Sequence, residues 1–207
     1  KNNVGTSFSK RGEYLKTIYT ALDFNLTKAQ IRVLREIRGD LKLKTPMNRL
    51  IQGDVGSGKT IVAILTAAII IAKEYQVALM APTEILAEQH FKSINEYCTK
   101  VNITCAVITS NTPKKIKQVI LNQLKSGEIN FIVGTHSLIQ DAVLFNKLGL
   151  IIIDEQHRFG VEHRKLLVEK ATNPEILAMT ATPIPRTLSI TIHGDMDISI
   201  IDELPKN

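Results

Sequence analysis

The sequence predicts an α/β fold with a doubly wound, mostly parallel sheet of about seven strands and helices on both faces. Apolar runs such as FIVGT at residues 131–135 and LIIID at residues 150–154 are almost continuously aliphatic. Parallel strands that are covered on both faces have this composition, whereas half-exposed strands alternate apolar and polar residues. Helical stretches separate these runs, and the alternation of strand and helix is typical of a parallel sheet.

Seven strands and four intervening helices are predicted from this alternation. The strands are Asn48–Gln52, Val77–Ala81, Cys105–Thr109, Asn130–Gly134, Leu150–Asp154, Ile176–Thr180 and Asp197–Asp202. The helices are Lys59–Tyr75, Glu84–Thr99, Pro113–Ser126 and Val161–Ala171. Ligands of such sheets bind at the carboxyl ends of the strands, so we expect the functional residues there.

The first 45 residues are more polar and show no strand pattern. Two helices are predicted in them, over Tyr14–Leu22 and Lys28–Asp40. We therefore divide the chain into an N-terminal helical segment (1–45) and an α/β domain (46–207). Because the chain begins at Lys1 and ends on Leu204-Pro205-Lys206-Asn207, we expect it to be part of a longer protein.

The composition is that of a globular protein, with 44% hydrophobic and 22% charged residues among 207. This excludes a disordered tail, a collagen-like fibre and a disulfide scaffold. The longest apolar run, Ile61–Ala72, is shorter than the roughly 20 residues that a membrane helix needs, and no signal peptide is visible, so we expect a cytoplasmic protein. The net charge of +6 permits a polyanionic partner without proving one.

Residues 53–60 read GDVGSGKT and match the phosphate-binding pattern G-x-x-x-x-G-K-[ST]. The glycines Gly53, Gly56 and Gly58 allow a tight turn in which successive N–H groups, including those of Val55 and Ser57, face one anion. The ammonium of Lys59 is expected to reach the β- and γ-phosphates, and the hydroxyl of Thr60 to ligate Mg²⁺. The motif thus predicts a P-loop NTPase that binds ATP; the alternative is a glycine-rich turn without a ligand.

Two carboxylates, Asp154 and Glu155, follow the aliphatic strand LIII. Because carboxylates are costly to desolvate without a partner, a hard cation explains their position. Asp154 is predicted to hold Mg²⁺ through its water shell, and Glu155 to orient or deprotonate the attacking water. The alternative is a solvated Asp-Glu pair at a strand end.

Several strings in the chain resemble the motifs of superfamily-two helicases, in matching order and spacing. They are FNLTKAQ at residues 24–30, APTEILAEQH at 81–90, VGTH at 133–136, DEQH at 154–157 and TAT at 180–182. The longer strings GDVGSGKT, MAPTEILAEQH, IIDEQHRFG and MTATPIPRT resemble the RecG family of branched-DNA helicases. Transcription-repair coupling translocases share TATPIPRT and HRFG, but they usually carry Glu in place of Gln156 and a bulkier residue in place of Ser57.

The resemblance implies a RecA-like fold and a role for each matching residue. Phe24 and Gln30 would contact adenine, although ordinary packing at a helix entry also explains them. Residues near strand ends would contact the DNA backbone; these are Pro82, Thr83, Gly134, Thr135 and His136. For Thr83 and Thr135, capping of the following helix is an equally supported role.

The remaining matches imply communication between the ATP and DNA sites. Gln156 and His157 of the acidic motif, together with Thr180, Ala181 and Thr182, would transmit the nucleotide state. Arg158 and Arg186 can pair with phosphates or with acidic residues, and the sequence does not distinguish between these two roles.

The resemblance further implies that ATP lies between this lobe and a second RecA-like lobe that supplies arginines. Neither that lobe nor the wedge domain of RecG proteins is within the sequence, so we expect this chain alone to bind nucleotide weakly and to turn over slowly. The expected partners are branched, duplex or single-stranded DNA and those further domains, in a monomer. Two alternatives remain, a P-loop enzyme of another class, such as a transporter ATPase or a small-molecule kinase, and a non-catalytic nucleotide- or DNA-binding module.

Overall fold

The computed structural model describes residue 14 and residues 16–155, 161–182 and 196–205. The strands in this part of the chain are β1 (Asn48–Gly53), β2 (Gln76–Met80), β3 (Cys105–Ile108), β4 (Phe131–Gly134), β5 (Leu148–Asp154), β6 (Glu175–Thr180) and β7 (Asp197–Ile201). The helices are α1 (Lys28–Asp40), α2 (Lys59–Ile71), α3 (Glu84–Thr99), α4 (Lys114–Ser126) and α5 (Val161–Val168). A short 3₁₀ helix spans His136–Ile139.

The strands form one sheet in the order β3-β4-β2-β5-β6-β1-β7. Every pairing between the described strands is parallel, which confirms the predicted sheet. β6 lies between β1 and β5, with Thr180 beside Gln52 and Met179 beside Asp154. All strands therefore end at the same edge, and the ends of β1, β6 and β5 are neighbours there.

Helices cover both faces of the sheet, as the near-continuous aliphatic strands predict. On one face, residues such as Leu79 and Ile152 pack with α1, α2 and α3. On the other, Met80 and Ile153 pack with α4 and α5. Because side chains alternate between the two faces along each strand, the strands contribute to two separate hydrophobic cores.

α2 is the central helix of the first core, and ten of its residues are buried. It ends at Ile71, four residues before the predicted end, because a turn follows in which Glu74 takes a positive φ of 66°. None of the helices in the described ranges has the length and apolar character needed to cross a membrane.

The N-terminal segment packs on the same core as the sheet. Residues 16–20 are helical, and Ile18 is buried together with Ala29 and Val33 of α1 against α2. The boundary at residue 45 therefore does not separate two hydrophobic cores, and a division of the chain there stays a prediction.

A largely buried ion pair fastens the end of α1 to the sheet. Arg49 of β1 donates to both carboxylate oxygens of Asp40, at 2.6 and 3.1 Å, and to Ser199 Oγ of β7 at 2.8 Å. The Arg49 side chain is 10% exposed and that of Asp40 15%. Removing one partner of such a pair leaves an uncompensated charge in a poorly hydrated site.

We expect Arg49→Ala to lower the free energy of unfolding by about 3 kcal/mol, because Asp40 loses its partner in a buried setting. Arg32→Ala is the matched control, since Arg32 pairs with Asp202 where both side chains are more than half exposed, and it should cost less than about 1 kcal/mol. Urea denaturation of both variants measures the difference, and equal effects would contradict the buried-pair argument.

Candidate functional site

The loop between β1 and α2 leads into a helix whose first N–H groups have no side-chain cap, while the N–H of Ser57 donates to the carbonyl of Asp54 at 3.1 Å. Gly56 and Gly58 have φ values of 82° and 85°, in the left-handed region that favours glycine. Gly58 precedes α2 without any side-chain cap, whereas Thr27 and Thr83 cap α1 and α3. The amino end of α2 therefore combines orphan donors with a positive helix dipole, and this suits an anion.

Lys59 lies over this loop in a half-buried position. Its ammonium donates to the carbonyl oxygens of Gly53 at 2.6 Å and Asp54 at 3.0 Å. Burial lowers the pKa of Lys59, while the carboxylates of Glu155, Asp154 and Asp54 act in the opposite direction. The ammonium is thus held beside both the loop and the acidic strand end.

Asp154, at the end of β5, is buried, with 8% of its surface exposed. One of its oxygens, Oδ2, lies 2.7 Å from Nε2 of His90 on α3. Sequence reasoning missed His90, because a contact across 64 positions leaves no signal in spacing. Only the string APTEILAEQH placed this residue near a functional motif.

Glu155 follows the last residue of β5 and has a positive φ of 49°. Its N–H donates to the carbonyl of Met179 at 2.9 Å. Its carboxylate accepts hydrogen bonds from the N–H of Ala181 at 3.1 Å and from Thr180 Oγ1 at 3.3 Å, and Thr180 Oγ1 also accepts from the N–H of Thr182. The three residues of the TAT string are therefore connected to this carboxylate by hydrogen bonds.

These groups line one pocket of about 530 Å³, which we call the Lys59 pocket. Its walls include Val55, Gly56, Lys59, Thr60, His90, Asp154, Glu155, Ala181 and Thr182. Among the described residues, no group of three or more His, Cys, Asp or Glu side chains is arranged so that it could hold a metal ion by itself. Mg²⁺ binds through few protein ligands together with phosphates and water. One hydroxyl and one carboxylate pair therefore fit Mg²⁺, whereas they do not fit a zinc site.

A second pocket of about 310 Å³, the Tyr97 pocket, adjoins the first and shares Gly56, Thr60 and Ser93 with it. Phe24, Gln30, Tyr97 and Pro205 contribute to its walls. Phe24 and Gln30 were predicted from the sequence, whereas Tyr97 and Pro205 were not. The two pockets therefore share part of their walls, at the amino end of α2 and on α3.

Gln30 is almost fully buried (1% exposed) and its amide is engaged within the protein. Oε1 accepts from the N–H of Thr27 at 2.9 Å, which completes a capping box, and Nε2 donates to the carbonyl of Ser57 at 2.8 Å. The helix-entry role weighed for Gln30 is thus what the structure shows, and its contact with adenine stays a prediction. Phe24 is 40% exposed.

Thr83 is exposed at the end of the second strand, and its hydroxyl accepts from the N–H of Leu86, so the capping role is confirmed. Pro82 beside it is half-buried. The next residue, Glu84, accepts from the N–H of Ser110 at 3.0 Å and from Asn111. Hydrogen bonds from Ser110 lower the pKa of Glu84, and the contact joins the start of α3 to the turn after β3.

Thr135 differs from Thr83, because it is buried (2% exposed) and makes no capping hydrogen bond. The capping role weighed for Thr135 is therefore wrong. Its hydroxyl lies 3.4 Å from Ser137 Oγ, and Gly134 is also buried, while His136 is exposed. Among residues 134–136, only His136 presents its side chain to solvent.

The predicted residues Gln156 and His157 lie outside the described residues, as do Arg158 and Arg186. Their roles stay predictions from the sequence.

A family model described as "DEAD/DEAH box helicase" matches residues 27–190 of the chain. The chain belongs to the DEAD/DEAH box helicase family. It is 53% identical over 195 residues to the ATP-dependent DNA helicase RecG of Aquifex aeolicus, covering 93% of this chain and 25% of the relative. RecG of Bacillus subtilis is 54% identical over 193 residues, covering 93% of this chain and 28% of the relative. The chain thus spans about a quarter of the length of these helicases.

Solved structures agree with this membership of the helicase family. RecG bound to a three-way DNA junction superposes with a TM-score of 0.83 and 43% identity, covering 95% of this chain and 26% of that one. The DUF1998 helicase MrfA bound to DNA superposes with a TM-score of 0.70 at 18% identity, covering 92% of this chain and 29% of that one, which shows the shared fold alone. The RecA-like helicase fold expected from the sequence is confirmed.

Substitution of the two left-handed glycines separates backbone strain from a steric clash. A Cβ on Gly58 would lie 2.2 Å from Gln30 Nε2, whereas one on Gly56 would meet nothing within 4 Å. Gly56→Ala should destabilise the fold by about 1 kcal/mol through strain alone. We expect Gly58→Ala to cost at least about 1 kcal/mol more, because Gln30 must give up its buried hydrogen bonds. Urea denaturation compares the two variants, and equal losses would contradict this packing.

Proposed function

We propose that the chain is the first RecA-like lobe of an ATP-dependent DNA helicase that remodels branched DNA. The observation that carries this proposal is that Lys59, Thr60, Asp154 and Glu155 line one pocket, although they follow two strands about a hundred residues apart. A P-loop and an acidic strand end that converge in this way fit the hydrolysis of a nucleoside triphosphate.

The Lys59 pocket is the proposed triphosphate and metal site. The N–H groups of the loop and the ammonium of Lys59 bind phosphate oxygens, and Thr60 and Asp154 provide the protein ligands for Mg²⁺. When bound, Mg²⁺ neutralises charge that develops on the transferred phosphoryl group. Lys59 leaves the carbonyls of Gly53 and Asp54 for the phosphates, which accept from it more strongly because they are charged.

Glu155 is the proposed base that orients or deprotonates the attacking water. Its carboxylate is held by the N–H of Ala181 and the hydroxyl of Thr180. A change at Glu155 during hydrolysis therefore reaches residues 180–182 through direct hydrogen bonds. This supports a coupling role for the TAT string, which Gln156 and His157 are proposed to share.

The Tyr97 pocket is the proposed site of the adenine base. Phe24 supplies a partly exposed aromatic ring at its wall, and Gln30 supplies an amide whose nitrogen holds the loop carbonyl of Ser57. Gln30 can then position the loop whether or not it also contacts the base. ATP would extend from this pocket into the Lys59 pocket past Gly56 and Thr60.

DNA is proposed to bind along the edge formed by the ends of β2 and β4. Thr83 and His136 are exposed there, while Pro82, Gly134 and Thr135 can contribute through backbone groups and shape. The branched-DNA substrate is proposed from the similarity to RecG, whose solved structure holds a three-way junction. We propose with it a second RecA-like lobe, a wedge domain, a monomeric state and a cytoplasmic location. The similarity to RecG favours this function over that of a transcription-repair coupling translocase.

Lys59→Ala should abolish or strongly weaken nucleotide binding by this chain. Each lost hydrogen bond to a charged group is worth about 1.5–3 kcal/mol, which corresponds to a loss of roughly 10- to 100-fold in affinity. Lys73→Ala, an exposed lysine just beyond the other end of α2, removes the same charge and should leave binding unchanged. Calorimetric titration with a non-hydrolysable ATP analogue measures both variants. Equal affinity of Lys59→Ala and the unaltered chain would refute the proposed site.

Glu155→Gln should keep ATP binding and remove hydrolysis in the longer protein that contains the second lobe. A general base contributes about 10²–10⁴ in rate, so kcat should fall by at least about 100-fold. Glu162→Gln, an exposed carboxylate on α5, is the control and should hydrolyse normally. Steady-state ATPase with branched DNA tests this, and an unchanged kcat of Glu155→Gln would refute the assignment of the base and favour a non-catalytic module.

A further inference from the structure

The contact between His90 and Asp154 lies outside the roles assigned above. His90 Nε2 is 2.7 Å from Asp154 Oδ2, and the side chains are only 12% and 11% exposed. An ionised carboxylate can only accept hydrogen bonds, so the imidazole N–H donates. This short hydrogen bond is largely shielded from water and is correspondingly strong.

His90 lies in the wall of the Lys59 pocket because it is on the face of α3 that is turned towards this pocket. Leu86, Gln89, His90 and Ser93 all line this pocket. Gln89, His90 and Ser93 follow Leu86 by three, four and seven positions. All four residues therefore share one face of the helix. Ala87 and Ile94 of the same helix are buried in the core, which fixes its rotation about its axis. The position of His90 is therefore set by the packing of the whole helix.

The hydrogen bond restricts how Asp154 can present its carboxylate. A carboxylate that holds Mg²⁺ through water must direct one oxygen at the metal's water shell and must not rotate. His90 occupies Oδ2 and leaves Oδ1 for that purpose. Partners of this kind, which orient a ligand without touching the metal, typically contribute about 10- to 100-fold to metal affinity.

We propose that His90 is a positioning residue that holds the Asp154 carboxylate in the orientation required for Mg²⁺-dependent nucleotide binding. The inference rests on the proposed function, in which Asp154 serves the metal. It predicts a specific defect, since removal of the imidazole should weaken the contribution of Mg²⁺ and leave the metal-free affinity for nucleotide intact.

The experiment measures the dissociation constant of a non-hydrolysable ATP analogue for this chain by calorimetry, once with excess Mg²⁺ and once with EDTA. The readout is the constant in EDTA divided by the constant in Mg²⁺, which measures how much the metal strengthens binding. His90→Leu, which cannot donate, should reduce this ratio by about 10-fold while the constant in EDTA changes less than about 2-fold. His90→Gln, whose amide nitrogen takes the place of Nε2, should stay within about 3-fold of the unaltered chain. Glu88→Gln on the exposed face of α3 is the control and should change neither constant.

The outcomes separate the inference from the proposed function. An unchanged ratio in His90→Leu overturns the positioning role, and so does an equal loss in Mg²⁺ and in EDTA, because that indicates a merely structural residue. If His90→Leu does not fold by circular dichroism, His90→Asn decides in the same way, since its shorter amide cannot reach Asp154. An unaltered chain that binds no analogue under either condition refutes the nucleotide site itself and the inference with it.

Discussion

The parallel pairing of β6 between β1 and β5 is the constraint on which the rest of the site depends. Its register places Thr180 beside Gln52 and Met179 beside Asp154. The loop between β1 and α2 and the acidic pair consequently leave the sheet on either side of residues 180–182. A shift of one residue in this register would turn every β6 side chain to the opposite face and would separate Thr180 from Glu155.

The same loop is also tied to the other end of the described chain, through α1. Gln30 holds the carbonyl of Ser57, and the amino end of α1 is held by Glu203, whose carboxylate accepts from the N–H of Ala29 at 3.1 Å. Arg32 of α1 pairs with Asp202 as well. α1 thus contacts the segment after β7 and the loop, and through Gln30 it also contributes to the wall of the Tyr97 pocket.

The sequence predicts the elements and the convergent core of the site because both depend on local patterns. Aliphatic runs locate the strands, and parallel strands bring Lys59 and Asp154 to one edge. What it could not predict depends on packing between distant elements. The contact of His90 with Asp154 depends on how α3 is oriented about its axis. Thr135 is buried beside Ser137, whose hydroxyl donates to the carbonyl of Ile108 on β3. The engagement of Gln30 by Thr27 and Ser57 likewise depends on how α1 approaches the loop.

The backbone of Glu155 explains how two consecutive residues can serve one pocket. Successive side chains of a strand point to opposite faces of the sheet, so a regular strand would send Asp154 and Glu155 apart. The positive φ of Glu155 ends the strand at that residue and brings its carboxylate to the N–H of Ala181. A left-handed conformation costs a non-glycine residue about 1–3 kcal/mol, and hydrogen bonds to Ala181, Thr180 and Met179 offset it. The strain at Glu155 is therefore what converts the alternation of a strand into a pair of carboxylates that line the same pocket.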